Sequence, residues 1–179
     1  MERTEVIDII SAYIHNSPKC SCSHFSIKRD IGVPMAAICY EDLELCPDKC
    51  VESRLWFFDT VIEARVYYTE TAQKWVSECG ENRAELLEVI NFINARFFVS
   101  EGFITPKLYV TEDCDISYTV LLDYGLFDDK QTAEKTLEFL TGYMPSFLNN
   151  VSHYIFSTVL GIANSSTAIS KLKSDLLEE

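Results

Sequence analysis

The stretch that decides the fold runs from Asn82 to Leu160 and has at its centre Ile90-Asn91-Phe92-Ile93-Asn94-Ala95-Arg96-Phe97-Phe98. Its apolar residues recur at helical spacing and are Leu86, Val89, Ile90, Ile93 and Phe97. This spacing predicts an amphipathic helix from Glu81 to Phe98 with one continuous apolar side. Phe92 lies about 120° from that side at 3.6 residues per turn. We therefore expect Phe92 to lie outside the core.

Two alternating segments and a long helical pattern follow this helix. Lys107–Thr111 and Ile116–Leu122 flank a polar, acidic stretch, which predicts an antiparallel hairpin. From Lys130 to Leu160 the apolar residues keep helical spacing, and Pro145 interrupts the pattern. Because proline lacks a backbone N–H and clashes with the preceding turn, we expect a kink or two separate helices there.

The chain before Asn82 predicts one helix and a set of strands. Apolar residues at helical spacing indicate a helix from Glu2 to Asn16, and the Ser-rich segment Ser17–Ser26 is typical of a loop. β-branched and aromatic residues then gather in short runs that predict strands. These runs lie near Val33–Glu44, Val51–Phe58 and Val61–Tyr68. The last run alternates strictly, so one face of the sheet should contact water.

These elements predict an α+β fold. We expect a single domain over residues 1–161, with an antiparallel sheet of about five strands and helices on one face, in the order α-β-β-β-α-β-β-α. Residues 162–179 are rich in serine and charge and are expected to form a C-terminal tail, helical or loosely ordered. The length of 179 residues suits one domain with a sizeable core.

The charge and composition of the chain limit the classes of molecule that it is expected to bind. The chain has 15 Lys and Arg against 28 Asp and Glu, a formal net charge of −13, with no basic block. Such a field repels phosphate backbones, so we expect no nucleic-acid partner. The N-terminus lacks the pattern of a signal peptide, and no stretch has the roughly 18 to 20 apolar residues of a membrane span. We expect a cytoplasmic protein without membrane contact, whose seven cysteines are mostly reduced.

The order of elements resembles a known family. The run Leu87-Glu88-Val89-Ile90-Asn91-Phe92-Ile93-Asn94, the hairpin Lys107–Leu122 and the helix Lys130–Leu160 resemble the YbjN-like family, whose fold is similar to that of type III secretion chaperones. The resemblance covers residues 81–160. It implies a small cytoplasmic bacterial protein without established catalytic residues, and the related chaperones form dimers that hold partner segments. The cysteine-rich segments before Val51 lie outside this pattern.

Those cysteines form the sharpest chemical hypothesis. Cys20 and Cys22, with His24 beside them, and Cys46 and Cys50 could supply four thiolates from two loops. Zinc takes four such ligands in a tetrahedron, although C-x-C and C-x₃-C pairs are less diagnostic than two C-x₂-C pairs. The alternatives are that they are free surface thiols or that two of them form one disulfide on exposure to air.

No other motif predicts a reaction. The histidines, His15, His24 and His153, lie far apart in the sequence, and no nucleophile elbow surrounds any serine. Phosphate-binding glycine motifs are absent as well. We therefore predict no enzymatic activity, no catalytic residues and no cofactor.

Aromatic residues make up 12% of the chain, and any that stay exposed together would suit a protein contact. Together with the absence of a catalytic constellation, this predicts an interaction module that holds a protein partner or peptide segment, and the resemblance to the YbjN-like family implies a chaperone-like or regulatory role and a homodimer. The predicted contact residues are Phe92, Trp56 and Tyr67, with Phe92 at the dimer contact. The alternative is a small zinc-binding or thiol-based regulatory protein that uses the cysteines between Cys20 and Cys50.

Overall fold

The computed structural model of the chain describes residues 1–17, 22–30, 32–40, 51–68, 80–97, 105–111 and 115–177. In these ranges the strands are β1 (Cys22–Lys28), β2 (Met35–Tyr40), β3 (Val51–Phe57), β4 (Val61–Tyr68), β5 (Lys107–Val110) and β6 (Ile116–Asp123). They form one sheet in the order β1-β2-β3-β4-β6-β5, and every neighbouring pair is antiparallel.

The α-helices are α1 (Arg3–Asn16), α2 (Arg83–Arg96), α3 (Lys130–Glu138), α4 (Met144–Val159) and α5 (Ser165–Leu176). A π-helical segment, Phe139–Tyr143, joins α3 to α4. Together with the sheet these helices confirm the predicted α+β class.

One face of the sheet forms the core with the helices. In β4 the residues Ile62, Ala64, Val66 and Tyr68 are buried, and the buried residues of β3 and β6 pair beside them. The Tyr68 hydroxyl donates to the backbone carbonyl of Leu148 in α4 at 3.0 Å, which fixes the helix against the sheet. The helices therefore cover one face, as the alternation of β4 predicts.

The hairpin of β3 and β4 turns on two residues, Asp59 and Thr60, which lie between the two predicted strands Val51–Phe58 and Val61–Tyr68. The backbone N–H of Phe58 donates to the carbonyl of Val61 at 3.0 Å and closes the turn. A two-residue turn fixes the register of a hairpin. Arg54 consequently lies directly opposite Arg65.

The predicted sheet of about five strands agrees with the six strands described, and one predicted loop needs a correction. The segment Ser17–Ser26 was expected to be a loop, but β1 begins at Cys22 and pairs with β2. The second half of the strand alternates Phe25 and Ile27 with Ser26 and Lys28, whereas a register shift between Cys22 and His24 disturbs the alternation at its start. Pairing with β2 therefore extends the strand beyond the part that the local sequence indicates.

The interruption expected at Pro145 takes the form of the π-helical segment. The backbone N–H of Met144 donates to the carbonyl of Phe139, five residues earlier, and Pro145 follows in the first turn of α4. Proline has no N–H to donate to the carbonyl of Thr141, so an α-helical ladder could not continue unbroken through this point.

Asn94 ties α2 to the sheet edge. Its side-chain amide donates to the carbonyl of Leu108 at 2.9 Å and accepts from the N–H of the same residue at 2.9 Å. The side chain thus bonds to β5 through a donor and an acceptor, as a neighbouring strand would. This contact sets the position of the end of α2.

The segment expected as a C-terminal tail contains α5, which packs on α2 and α4. Ala168 and Leu172 are fully buried, and the N–H of Ser165 donates to the Glu85 carboxylate. The Ser165 hydroxyl donates to the Glu88 carboxylate. The carboxylates of Glu85 and Glu88 thus accept hydrogen bonds from the first residue of α5, at the positive end of the helix dipole.

Among the described residues, none of the helices combines the length and apolar character that crossing a bilayer requires.

Candidate functional site

The candidate site is the face of the sheet that points away from the helices, which we call the open face. Its central side chains alternate with the buried residues of β3 and β4 and are Glu52, Arg54, Trp56, Glu63, Arg65 and Tyr67. None of the six is buried. The sheet edge beyond β4 adds Tyr109, with 57% of its surface exposed, and Leu121, with 50% exposed.

The centre of the open face repeats one short pattern. Glu52-Ser53-Arg54-Leu55-Trp56 and Glu63-Ala64-Arg65-Val66-Tyr67 both read Glu-x-Arg-x-aromatic. Because the two strands are antiparallel and Arg54 pairs with Arg65, the two copies are related by a local twofold axis between the arginines.

Each contact of this pattern occurs twice. The Arg54 guanidinium lies over the ring of Tyr67 at 4.9 Å, and the Arg65 guanidinium lies over the ring of Trp56 at 5.0 Å. Such cation–π contacts attract each guanidinium to the face of its ring. The open face therefore presents two arginine–aromatic pairs.

Each arginine is also paired with the glutamate two residues earlier. Arg54 Nη2 donates to Glu52 Oε1 at 3.1 Å, and Arg65 Nη2 donates to Glu63 Oε1 at 2.6 Å. The arginine side chains keep 43% and 45% of their surface exposed, whereas the glutamate side chains keep 21% and 17%. Each guanidinium is therefore neutralised by a carboxylate on its own strand, and the arginine is the more exposed member of each ion pair.

Tyr67 is the polar aromatic of this pattern. Its hydroxyl is shielded from solvent, and no described group meets the geometry of a hydrogen bond with it, although the Glu52 carboxylate lies beside it. Burial raises the pKa of the Tyr67 hydroxyl well above its usual value, and the Glu52 carboxylate raises it further. Tyr67 therefore remains a neutral hydroxyl at physiological pH.

A shallow depression of about 370 Å³ adjoins Arg65 on the β5 side. Its lining combines apolar surface from Tyr109 and Leu121 with the hydroxyls of Ser117 and Thr119. Thr119 lies directly opposite Arg65 on the neighbouring strand. The depression could take one apolar side chain next to the arginine pair.

The structure places the three predicted contact residues in two different regions. Trp56 and Tyr67 are half-buried and belong to the open face. Phe92 is half-buried and packs against the core, and the Lys173 ammonium of α5 lies 5.2 Å from the centre of its ring. The open face thus brings together two of the three residues, and α5 lies beside the third.

The predicted zinc ligands fall largely outside the described residues. This applies to Cys20, Cys46 and Cys50 and to the side chain of Cys22. Within the described ranges, no group of three or more His, Cys, Asp and Glu side chains is placed to hold a metal ion. The zinc hypothesis stays a prediction, which elemental analysis of gently purified protein would test.

The histidines are placed apart. His15 Nδ1 lies 2.7 Å from the carbonyl oxygen of Ser11 at the end of α1, and His153 Nε2 lies 3.3 Å from Lys171 Nζ. His24 lies opposite Cys39 on β1 and β2, and Cys39 Sγ donates to the Glu52 carboxylate at 3.9 Å.

Sequence reasoning missed Arg54 and Arg65. The signal that could have found them was present, because the turn at Asp59 and Thr60 fixes which residues of the two strands lie opposite each other. With that register, the repeated Glu-x-Arg-x-aromatic pattern places both arginines together.

Comparison of the chain with protein-family models, with curated proteins and with solved structures found no match. The resemblance to the YbjN-like family therefore stays a prediction. The function has to be inferred from the geometry of the open face.

Proposed function

We propose that this protein is a non-enzymatic protein–protein interaction module that holds a partner on the open face. The observation that carries this proposal is the pair of arginine–aromatic stacks, Arg54 on Tyr67 and Arg65 on Trp56, on the face opposite the helices. Arginine, tryptophan and tyrosine are the residues that most often dominate the binding energy of protein interfaces.

The surroundings of the stacks support the same role. Tyr109 and Leu121 expose large apolar surfaces next to the arginine pair, and such surfaces gain free energy when a partner covers them. The cation–π contacts and the ion pairs with Glu52 and Glu63 also restrain the two arginine side chains before binding, which lowers the entropy cost of association. A rigid, partly apolar sheet face is suited to holding an extended segment or a second sheet.

The partner can be another protein, a peptide segment or a second copy of this chain, as predicted from the resemblance. These choices differ in the mass of the complex. An adduct of twice the chain mass of 20.5 kDa would identify a homodimer.

Site-specific photocross-linking tests the proposal. We would place p-benzoylphenylalanine at Leu121 on the open face and, as a matched control, at Ile162, which is 76% exposed in the loop before α5. In lysate of the source cells we expect a discrete adduct from position 121 and none from position 162. Adding Trp56→Ala should remove the adduct because it removes the ring beneath Arg65.

The same products from both positions, or no discrete product from position 121, would contradict the proposal.

A further inference from the structure

The two copies of the Glu-x-Arg-x-aromatic pattern on the open face differ in how their glutamates are used. Glu52 Oε1 accepts from Arg54, and Glu52 Oε2 accepts from Cys39 Sγ at 3.9 Å. Glu63 Oε1 accepts from both Nε and Nη2 of Arg65, whereas Glu63 Oε2 accepts from no group in the part of the chain that the structure describes. Glu63 therefore keeps one carboxylate oxygen for a further donor.

The aromatic residues of the two copies differ in a matching way. Tyr67 lies directly opposite Glu52, and its hydroxyl lies beside that carboxylate. Trp56 lies directly opposite Glu63 and has no hydroxyl, and within the described ranges its indole N–H makes no hydrogen bond to Glu63. The first copy thus has a tyrosine hydroxyl next to its carboxylate, and the second copy lacks one.

The depression of about 370 Å³ adjoins the copy that lacks the hydroxyl. Its lining includes Glu63, Arg65, Tyr109 and Leu121. One face of the Arg65 guanidinium lies on the Trp56 ring, and the side chain still exposes 45% of its surface. Because stacking uses the face of a guanidinium and Glu63 engages its edge, the ion pair leaves Arg65 able to contact a second ring.

The charges of the lining favour an uncharged occupant. Glu63 and Arg65 are the charged residues of the depression, and they neutralise each other. An anionic side chain would be repelled by the second oxygen of Glu63, and a cationic one by the guanidinium of Arg65. The acceptor is best matched by a neutral donor attached to a ring.

We propose that the depression binds a tyrosine side chain of a protein partner. The tyrosine hydroxyl donates to Glu63 Oε2, and its ring lies against Arg65 and the apolar surfaces of Tyr109 and Leu121. The partner would thereby give the second copy of the pattern the hydroxyl that Tyr67 gives the first. This inference rests on the proposed function and names the side chain that the open face recognises.

Capped synthetic peptides test the proposal on the unmodified protein. The probe carries Ser-Tyr-Ser in a Gly/Ser background, and its matched variants replace the tyrosine by phenylalanine, phosphotyrosine, lysine or leucine. Binding is followed by NMR titration, in which the backbone amides of Ser117, Thr119 and Leu121 should shift because these residues line the depression. We expect the phenylalanine probe to bind about tenfold more weakly than the tyrosine probe, since it loses a hydrogen bond to a charged acceptor. The other three probes should also bind more weakly.

Variants of the two glutamates give a matched comparison, because Glu52 and Glu63 hold equivalent places in the repeated pattern. Glu63→Gln should weaken binding of the tyrosine probe by about tenfold, because a neutral acceptor replaces a charged one, and should affect the phenylalanine probe much less. Glu52→Gln should leave the binding of both probes unchanged. Arg65→Lys should weaken both aromatic probes because an ammonium has no planar face, and Arg54→Lys is its control. Circular dichroism confirms that each variant is folded.

Equal affinity of the unmodified protein for the tyrosine and phenylalanine probes would overturn the proposal. So would tighter binding of the phosphotyrosine or lysine probe, no measurable binding of any probe, or equal effects of Glu63→Gln and Glu52→Gln on the tyrosine probe. If the peptides fail while position 121 still gives its discrete cross-linked adduct, this inference is wrong and the proposed function stands. If position 121 gives no adduct either, both are wrong.

Discussion

The two faces of the β3–β4 hairpin differ completely although they are built from alternate residues of the same strands. On the covered face Leu55, Phe57 and Ile62 are almost inaccessible to solvent. On the open face Trp56 stacks with Arg65 and stays half-exposed. Buried and accessible positions thus alternate along the same strands, and under the proposed function a substitution on one face should leave the role of the other face largely unchanged.

The largest expected effect comes from the covered face. Phe57→Ala should lower the free energy of unfolding by about 3 to 5 kcal/mol, because it leaves a cavity in the core. Its neighbour Trp56 is the matched control on the open face, where Trp56→Ala should cost less than about 1 kcal/mol. Urea denaturation of both variants gives the comparison. A cost for Trp56→Ala close to that of Phe57→Ala would show that the open face is also part of the stabilising core.

A smaller loss of stability is expected where α2 contacts β5 at the edge of the sheet. Asn94→Ala removes both hydrogen bonds to the backbone of Leu108 and should cost about 1 to 3 kcal/mol. Asn91, exposed on the same helix, provides the control, and Asn91→Ala should change stability by no more than about 0.5 kcal/mol. Equal values for the two variants in urea denaturation would mean that the edge contact adds no stability.

The smallest effect concerns the outermost covering helix, α5. The side chain of Ser165 and then its backbone N–H hold the pKa of Glu85 below its ordinary value. A depressed carboxyl pKa gives stability that is present above the unfolded pKa and is lost as pH falls through the folded pKa. Lowering the pH should therefore decrease the protection of the α5 amides from hydrogen exchange in the wild type. In Glu85→Gln this protection should depend less on pH.

The control for Glu85 is the exposed Glu81. Glu81→Gln should leave the pH dependence of α5 protection unchanged. An identical pH profile for wild type and Glu85→Gln would show that this carboxylate does not hold α5 to the covered side.

The covered face was largely predictable from the sequence. The alternation of β4 and the spacing of Leu86, Ile90 and Ile93 in α2 depend on burial, and burial leaves a periodic pattern in the chain. All three α2 residues are buried as expected. The first half of β1 was not predictable, because Cys22-Ser23-His24 shows no alternating apolar pattern and its pairing with β2 contains a register shift.

The open face was only partly predictable. Trp56 and Tyr67 could be named because of their residue types, but their contacts with Arg65 and Arg54 depend on cross-strand register. The helical phase of α2 predicted that Phe92 lies outside the core. It could not show that Lys173, far along the chain in α5, lies over the ring of Phe92.

The π-helical segment Phe139–Tyr143 sets the rotational phase of all that follows it. A π turn holds one residue more than the α turn it replaces, and each residue of an α-helix turns the chain by about 100°. Deleting Gly142 would therefore leave an ordinary α turn and keep Leu148, Val151 and Ile155 on the packed side of α4, whereas a deletion within α4 would turn the residues after it by about 100°. The π turn thus absorbs one extra residue, and α4 keeps its apolar side against the covered face of the sheet.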